Sequence, residues 1–165
     1  MSKTEQNLKD AFAGESQANR KYLAFAQKAD DEGYPQIARL FRAAAEAETV
    51  HALAHLKTLG AIGSTAENLQ TAVDGETHEF KKMYPEMIAT AEADGDKKAL
   101  RTFTYANEVE KVHAELYQNA LDNMDTPRDV KCYYVCSVCG YTAENEAPDQ
   151  CPVCKAVAKA FKRID

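Results

Sequence analysis

Two copies of the pattern Glu-x-x-His, at Glu48–His51 and Glu110–His113, sit on segments whose apolar residues recur at helical spacing. Both copies fall on the stripe that should turn inward. Over 35–60 that stripe runs Phe41, Ala44, Glu48, His51, His55, Thr58, and over 96–124 it runs Phe103, Glu110, His113 with Ala114, Tyr117, Leu121, Met124. Over 3–31 it reads Leu8, Phe12, Glu15, Asn19, Tyr22, Ala26, Ala29, and the segment ending at 94 offers Glu76, Glu79 with Phe80, Met83, Met87. Each of the four helical segments therefore carries an acid on the face that ought to be apolar.

The punctuation fixes how those segments connect. Gly33 with Pro35, and Gly95 with Asp96, are a helix stop followed by a helix start, so each marks a hairpin turn. The stretch 59–70, with Gly60, Gly63, Ser64 and Thr65, is a longer connection, and the third helix begins near 66 or near 75. "DTPRDVK", 125–131, closes the helical part. The fold class expected is all-α, a four-helix bundle over 1–126 with a long crossover between its second and third helices. A small separate domain follows over 130–165.

Helix rise decides whether the acids meet. Counting from the turn near 32, Glu15 lies about 17 residues back and Glu48 about 16 forward, which at ~1.5 Å per residue puts them nearly level. From the turn near 95, Glu79 and Glu110 are similarly level, as are Glu76 and His113. Side-by-side hairpins would gather Glu15, Glu48, His51, Glu76, Glu79, Glu110 and His113 in one layer.

Acids gathered away from water repel one another and are costly to desolvate, so a cation must accompany them. One Glu from each of two helices (Glu15, Glu76) plus Glu-x-x-His from each of the other two is the donor set of a two-metal carboxylate bundle. Spacing i, i+3 keeps both ligands of a pair on one face. Carboxylate oxygen with imidazole suits iron or manganese, and zinc can occupy the same donors. His55 and His78 read as bystanders, and Glu46 and Glu108 should face water.

Four of the five cysteines form two CxxC pairs, Cys136/Cys139 and Cys151/Cys154, a tetrahedral four-sulfur set that on spacing alone suits structural zinc or a single iron. Cys132 stands outside both pairs. The chain is acidic overall, with formal charge −6, which disfavours nucleic acid or an anionic membrane as partner. It opens on the polar "MSKTEQNLKD" and has no long apolar run, so a cytoplasmic location is expected.

With "AGESQANRKY", "EAETVH", "GETHEFKKMY", "EKVH" and the knuckles "CSVCGY" and "CPVC" in place, the chain resembles the rubrerythrins over its whole length. The resemblance implies a ferritin-like di-iron domain followed by a rubredoxin-like domain. It implies two non-haem irons in an oxo-bridged site, Glu48 and Glu110 bridging, Glu15 and Glu76 terminal, His113 on the second iron. One iron would move between His51 when reduced and Glu79 when oxidised, and Tyr22 and Tyr84 would stand as hydrogen-bond donors beside the site. A third iron would be held by Cys136, Cys139, Cys151 and Cys154.

The activity so implied is a non-haem di-iron peroxidase, reducing hydrogen peroxide to water in oxidative stress defence. Its electrons would come through the four-cysteine iron from a rubredoxin or an NAD(P)H-dependent reductase. A ferroxidase or iron-storage protein is the alternative and leaves the four-cysteine module unexplained. The last helix runs about 14 residues past Glu110, roughly 20 Å, before the four-cysteine domain starts. On that count the chain's own sulfur site is remote from its carboxylates, and a homodimer, head-to-tail or helix-swapped, is expected to bring the two together.

Overall fold

The computed structural model of the chain describes residues 2–126 and 129–165. The closing Pro127 lies outside the described residues. The described chain forms two compact units, Met1–Gly63 and Ser64–Asp165.

The first unit is a helical hairpin, α1 (Lys3–Asp31) and α2 (Pro35–Thr58). Ser2 caps α1 by accepting from the Glu5 N–H, Gly33 turns the chain at φ +80°, and Pro35 opens α2 where a missing N–H costs nothing. The buried seam is mostly alanine, with Ala26 and Ala29 from α1 and Ala38, Ala45 and Ala52 from α2. Such small side chains let two backbones approach closely. Asn19 joins that seam, donating from Nδ2 to the Ala45 carbonyl at 2.7 Å and to Thr49 Oγ1 at 2.9 Å.

The second unit opens with a capping box in which Ser64 and Glu67 satisfy each other's backbone N–H groups. The third helical segment therefore begins at Thr65, and the connection from α2 is confined to 59–64. This segment comprises α3 (Thr65–His78), a π-helical turn (Glu79–Met83) and α4 (Tyr84–Asp94), and all three pack along α5 (Lys97–Asp122). Gly95 ends α4 at φ +69°, and Asp96 caps α5 by accepting from the N–H groups of Lys98 and Ala99. Both residues do what their types suggest.

Three short strands complete this unit, β1 (Tyr133–Cys136), β2 (Thr142–Glu144) and β3 (Phe161–Ile164), in the antiparallel order β2-β1-β3. The sheet does not continue outward from the end of α5. It folds back onto it, so that β2 packs against the helix that carries Glu110 and His113. The separation expected from helix length alone is therefore not found. Among the described residues no helix is long and apolar enough to cross a membrane.

Candidate metal centres

Within the first unit, α1 and α2 bring Glu15, Glu48 and His51 together, with one donor atom of each within 4.8 Å of the others. Nδ1 of His51 is 3.0 Å from Glu48 Oε2 and 3.9 Å from Glu15 Oε1. Within the second unit, α3 and α5 do the same with Glu76, Glu110 and His113. There Nδ1 of His113 is 2.8 Å from Glu110 Oε2 and 4.0 Å from Glu76 Oε1. The two triads are near copies. In each, the Glu-x-x-His pair on one helix faces a single Glu on the other, as level counting requires.

The donor set fits a hard or borderline cation. Each triad supplies two carboxylates and an imidazole around a gap that ligands about 2 Å from a central ion would line. The acids are half-buried rather than enclosed, with side-chain exposures of 17% for both Glu48 and Glu110. Partial burial is enough to perturb them. Glu76 is pushed up to about 7, first by desolvation and then by the neighbouring Glu110 carboxylate. Glu79 is also raised, by burial and then by Glu110. Its carboxyl thus feels the triad without being one of its three donors.

The π-turn is what places Glu79 and Tyr84. Five residues advance about 140° past a full turn of an α-helix, which would point Tyr84 away from Glu79. The i→i+5 bonding of a π-turn brings the two towards a common face. Burial and the charges of Glu110, Glu79 and Glu76 raise the Tyr84 phenol, so it keeps its proton. Tyr22, in the first unit, packs its ring with Phe25 and Phe41 at centroid distances of 6.3 and 6.2 Å. His55 and His78 belong to neither triad, and Glu46 and Glu108 are exposed.

The second unit also holds the sulfur site. Cys136, Cys139, Cys151 and Cys154 place their sulfurs within 4.8 Å of one another, and the pairs Cys136–Cys154 and Cys139–Cys151 are each 3.6 Å apart. That exceeds a disulfide and approaches the ~3.8 Å edge of a tetrahedron with metal–sulfur bonds of ~2.3 Å. The two knuckles share one turn: Gly140 N–H bonds to the Cys136 carbonyl at 2.8 Å, and Lys155 N–H to the Cys151 carbonyl at 3.0 Å. The residue after each second cysteine is left-handed, Gly140 at φ +87° and Lys155 at φ +65°.

Burial raises the Cys139 and Cys154 thiols. It acts on Cys151 too, but N–H groups of Cys154 and Val153 together with the adjacent thiols outweigh it, and that group is lowered. A cation makes all four thiolates at once. Cys132 is buried outside the cluster, its sulfur 3.6 Å from the Asn145 carbonyl oxygen.

This pairing of carboxylate–histidine triads with a four-cysteine knuckle site is matched by two family models: rubrerythrin over residues 6–121, and the rubrerythrin rubredoxin-like domain over 134–162. The chain belongs to the rubrerythrin family. It is 42% identical to rubrerythrin-2 of Clostridium acetobutylicum, covering 94% of this chain and 93% of that one. It is 39% identical to nigerythrin of Nitratidesulfovibrio vulgaris, covering 92% and 81%. Among solved structures, the partially reduced state of nigerythrin matches with a TM-score of 0.59 at 36% identity, covering 99% of this chain and 87% of that one. The ferritin-like plus rubredoxin-like class follows, and the donors fit the di-iron and four-cysteine iron centres of a rubrerythrin.

One residue at the carboxylate site has no signal in the spacing. Thr142 places Oγ1 3.1 Å from Nε2 of His113, across 29 positions of sequence. Only the folding of β2 back onto α5 reveals it.

Proposed function

We propose that this rubrerythrin-family chain is a hydrogen peroxide reductase, a non-haem di-iron peroxidase acting in oxidative stress defence. The observation that carries the reading is the coexistence of two matching Glu/Glu/His triads with a four-cysteine site built on the same unit as the second of them. Storage alone needs the triads but not the sulfur site.

In this reading Glu15, Glu48, His51, Glu76, Glu110 and His113 would hold a pair of irons, with Glu48 and Glu110 as the bridging ligands and Glu15 and Glu76 as the terminal ones that the resemblance implies. A ferrous pair supplies the two electrons that, with two protons, turn one hydrogen peroxide into two waters. The protein's part is to position and to donate protons. Tyr84 keeps its phenolic hydrogen because burial and nearby acids raise it, and it serves as a hydrogen-bond donor beside the site. Tyr22 serves likewise on the first triad's side. Glu79, on the π-turn, would be the further carboxylate able to balance added positive charge on such a pair in place of His51. His51, more than half exposed at its side chain, is the less restrained imidazole.

Residues 1–126 form the di-iron domain and 130–165 the four-cysteine domain through which a rubredoxin or an NAD(P)H-dependent reductase returns electrons. The protein works in the cytoplasm as a homodimer, head-to-tail or helix-swapped. The packing of β2 on α5 removes the argument from helix length for that dimer, so it rests on the family alone.

The test is stopped-flow reoxidation of the fully reduced, iron-loaded protein. Peroxide should restore the ferric centres faster than air-saturated buffer does, with one peroxide consumed per ferrous pair. Faster reaction with oxygen, together with uptake of further iron into a mineral, would instead establish the ferroxidase alternative.

A further inference from the structure

Two of the places where the four-cysteine domain meets α5 lie one helical turn apart. At the first, Gly140 lies so near Val109 that a Cβ added there would stand 3.7 Å from Val109 Cγ1. At the second, Thr142 Oγ1 is 3.1 Å from His113 Nε2. Val109 and His113 are four residues apart and share a helix face. The same Thr142 oxygen is 3.1 Å from the Gly140 carbonyl oxygen.

These contacts assign the hydrogens once His113 is a ligand. Its Nδ1 is the nitrogen facing Glu110 and Glu76, at 2.8 and 4.0 Å, so a cation among them requires a lone pair on Nδ1. Nε2 then carries the ring hydrogen and needs an acceptor. The Thr142 oxygen is that acceptor, and its own single hydrogen goes to the Gly140 carbonyl, which can only accept. The chain of contacts runs from the residue after Cys139 through one hydroxyl to the imidazole.

His51 offers the contrast. Its Nδ1 stands towards Glu48 and Glu15 much as that of His113 stands towards Glu110 and Glu76, yet its side chain is 55% exposed against 26%. Among the described residues nothing holds its second ring nitrogen.

We propose that Thr142 is the positioning residue for His113. Reaching across from the four-cysteine domain, its hydroxyl clamps the outer ring nitrogen so that Nδ1 stays aimed at the metal and His113, unlike His51, is a permanent ligand. The inference rests on the reading of His113 as a metal ligand. Residues around the pair, including Leu69, Leu116 and Tyr133, line a largely apolar cavity of about 340 Å³, where one well-made hydrogen bond matters more than it would in open water.

The experiment compares wild type, Thr142→Val and Thr142→Ser as full-length protein loaded with zinc(II) at both centres. Imidazole nitrogen NMR reads which ring nitrogen carries hydrogen and how fast that hydrogen exchanges with water. In wild type and Thr142→Ser, His113 should show a metal-shifted Nδ1 and a slowly exchanging Nε2–H. In Thr142→Val that hydrogen should exchange as fast as the one on His51, and zinc affinity at the site should fall about 10-fold, the serine variant restoring both. Unchanged exchange and affinity in Thr142→Val would overturn the clamp while leaving His113 a ligand. A wild-type Nδ1 that zinc does not shift would overturn the ligand reading and the clamp with it.

Discussion

The backbone N–H of Tyr84 bonds to the carbonyl of Glu79, five residues back, closing the π-turn in the helical segment that packs along α5. One extra residue per turn shifts the helix beyond it by about 100° relative to an uninterrupted α-helix. A π-turn gives up regular α bonding, so it persists where the surrounding packing over-determines it. Here it joins the two groups whose titration responds to the Glu110 carboxylate and which are not themselves triad donors.

Glu79→Ala should therefore leave the ferrous site able to assemble while slowing the reaction with peroxide by about 10-fold or more. Iron stoichiometry of the reduced protein and stopped-flow reoxidation are the two measurements. Normal iron content with undiminished turnover would remove Glu79 from the mechanism.

Much of this was legible in the sequence because helices are regular. The stops at Gly33 and Gly95 set two hairpins, and a constant rise per residue then fixes which acids are level. That arithmetic put Glu15 level with Glu48 and Glu76 level with His113 without any knowledge of packing, but it also put Glu79 level with Glu110 and so did not single out the three donors of the second triad. The CxxC pairs were legible for a related reason, since a knuckle is a local turn. What the sequence withheld depends on departures from regularity or on long-range contact. Glu79 was level with Glu110 by the same count, but its approach to Tyr84, five residues on, is a separation that an α-helical reading treats as divergent. Thr142 meets His113 only because β2 packs back against α5, a contact across 29 positions that no local pattern announces. The start of the third helical segment at Thr65 depended on Ser64 and Glu67 capping each other, which the residues of 59–70 allowed without deciding.

Asn19 ties the two helices of the first triad at a point four residues beyond Glu15 and beside Glu48. Its amide nitrogen holds both the Ala45 carbonyl and Thr49 Oγ1, in an alanine seam with little else polar to replace it. Asn19→Ala should cost about 1–3 kcal/mol in chemical denaturation, the usual scale for losing a buried polar contact. It should also weaken metal binding at Glu15, Glu48 and His51, read by calorimetric titration. A variant with unaltered stability would show that the alanine seam alone sets the helix level.

The four-cysteine domain is small enough to depend on its metal. Domains below about 40 residues seldom hold together without a metal or disulfide, and here none of the five cysteines is paired in a disulfide. Cys151→Ser should abolish the ferric–thiolate colour and make residues 129–165 sensitive to protease. Circular dichroism should still report the helices. A variant that stays colourless yet protease-resistant over 129–165 would mean the three strands and the α5 contact suffice.

Glu76 gives the pH dependence its sign. Its carboxyl is raised from near 4.5 to about 7, by burial first and Glu110 second, in the metal-free protein. Between those two values the folded chain holds a proton that the unfolded chain has already lost. Stability of the metal-free protein must then fall as pH rises from about 4.5 to about 7, and level off above. A bound cation takes the place of that proton and removes the dependence. Thermal unfolding of metal-free protein across this window should show the decline, Glu76→Gln should flatten it, and the metal-loaded protein should lack it. Zinc binding at about pH 6 should also release more protons than at about pH 8. A slope that persists unchanged in Glu76→Gln would place the titrating group elsewhere and separate Glu76 from the charge balance of the second triad.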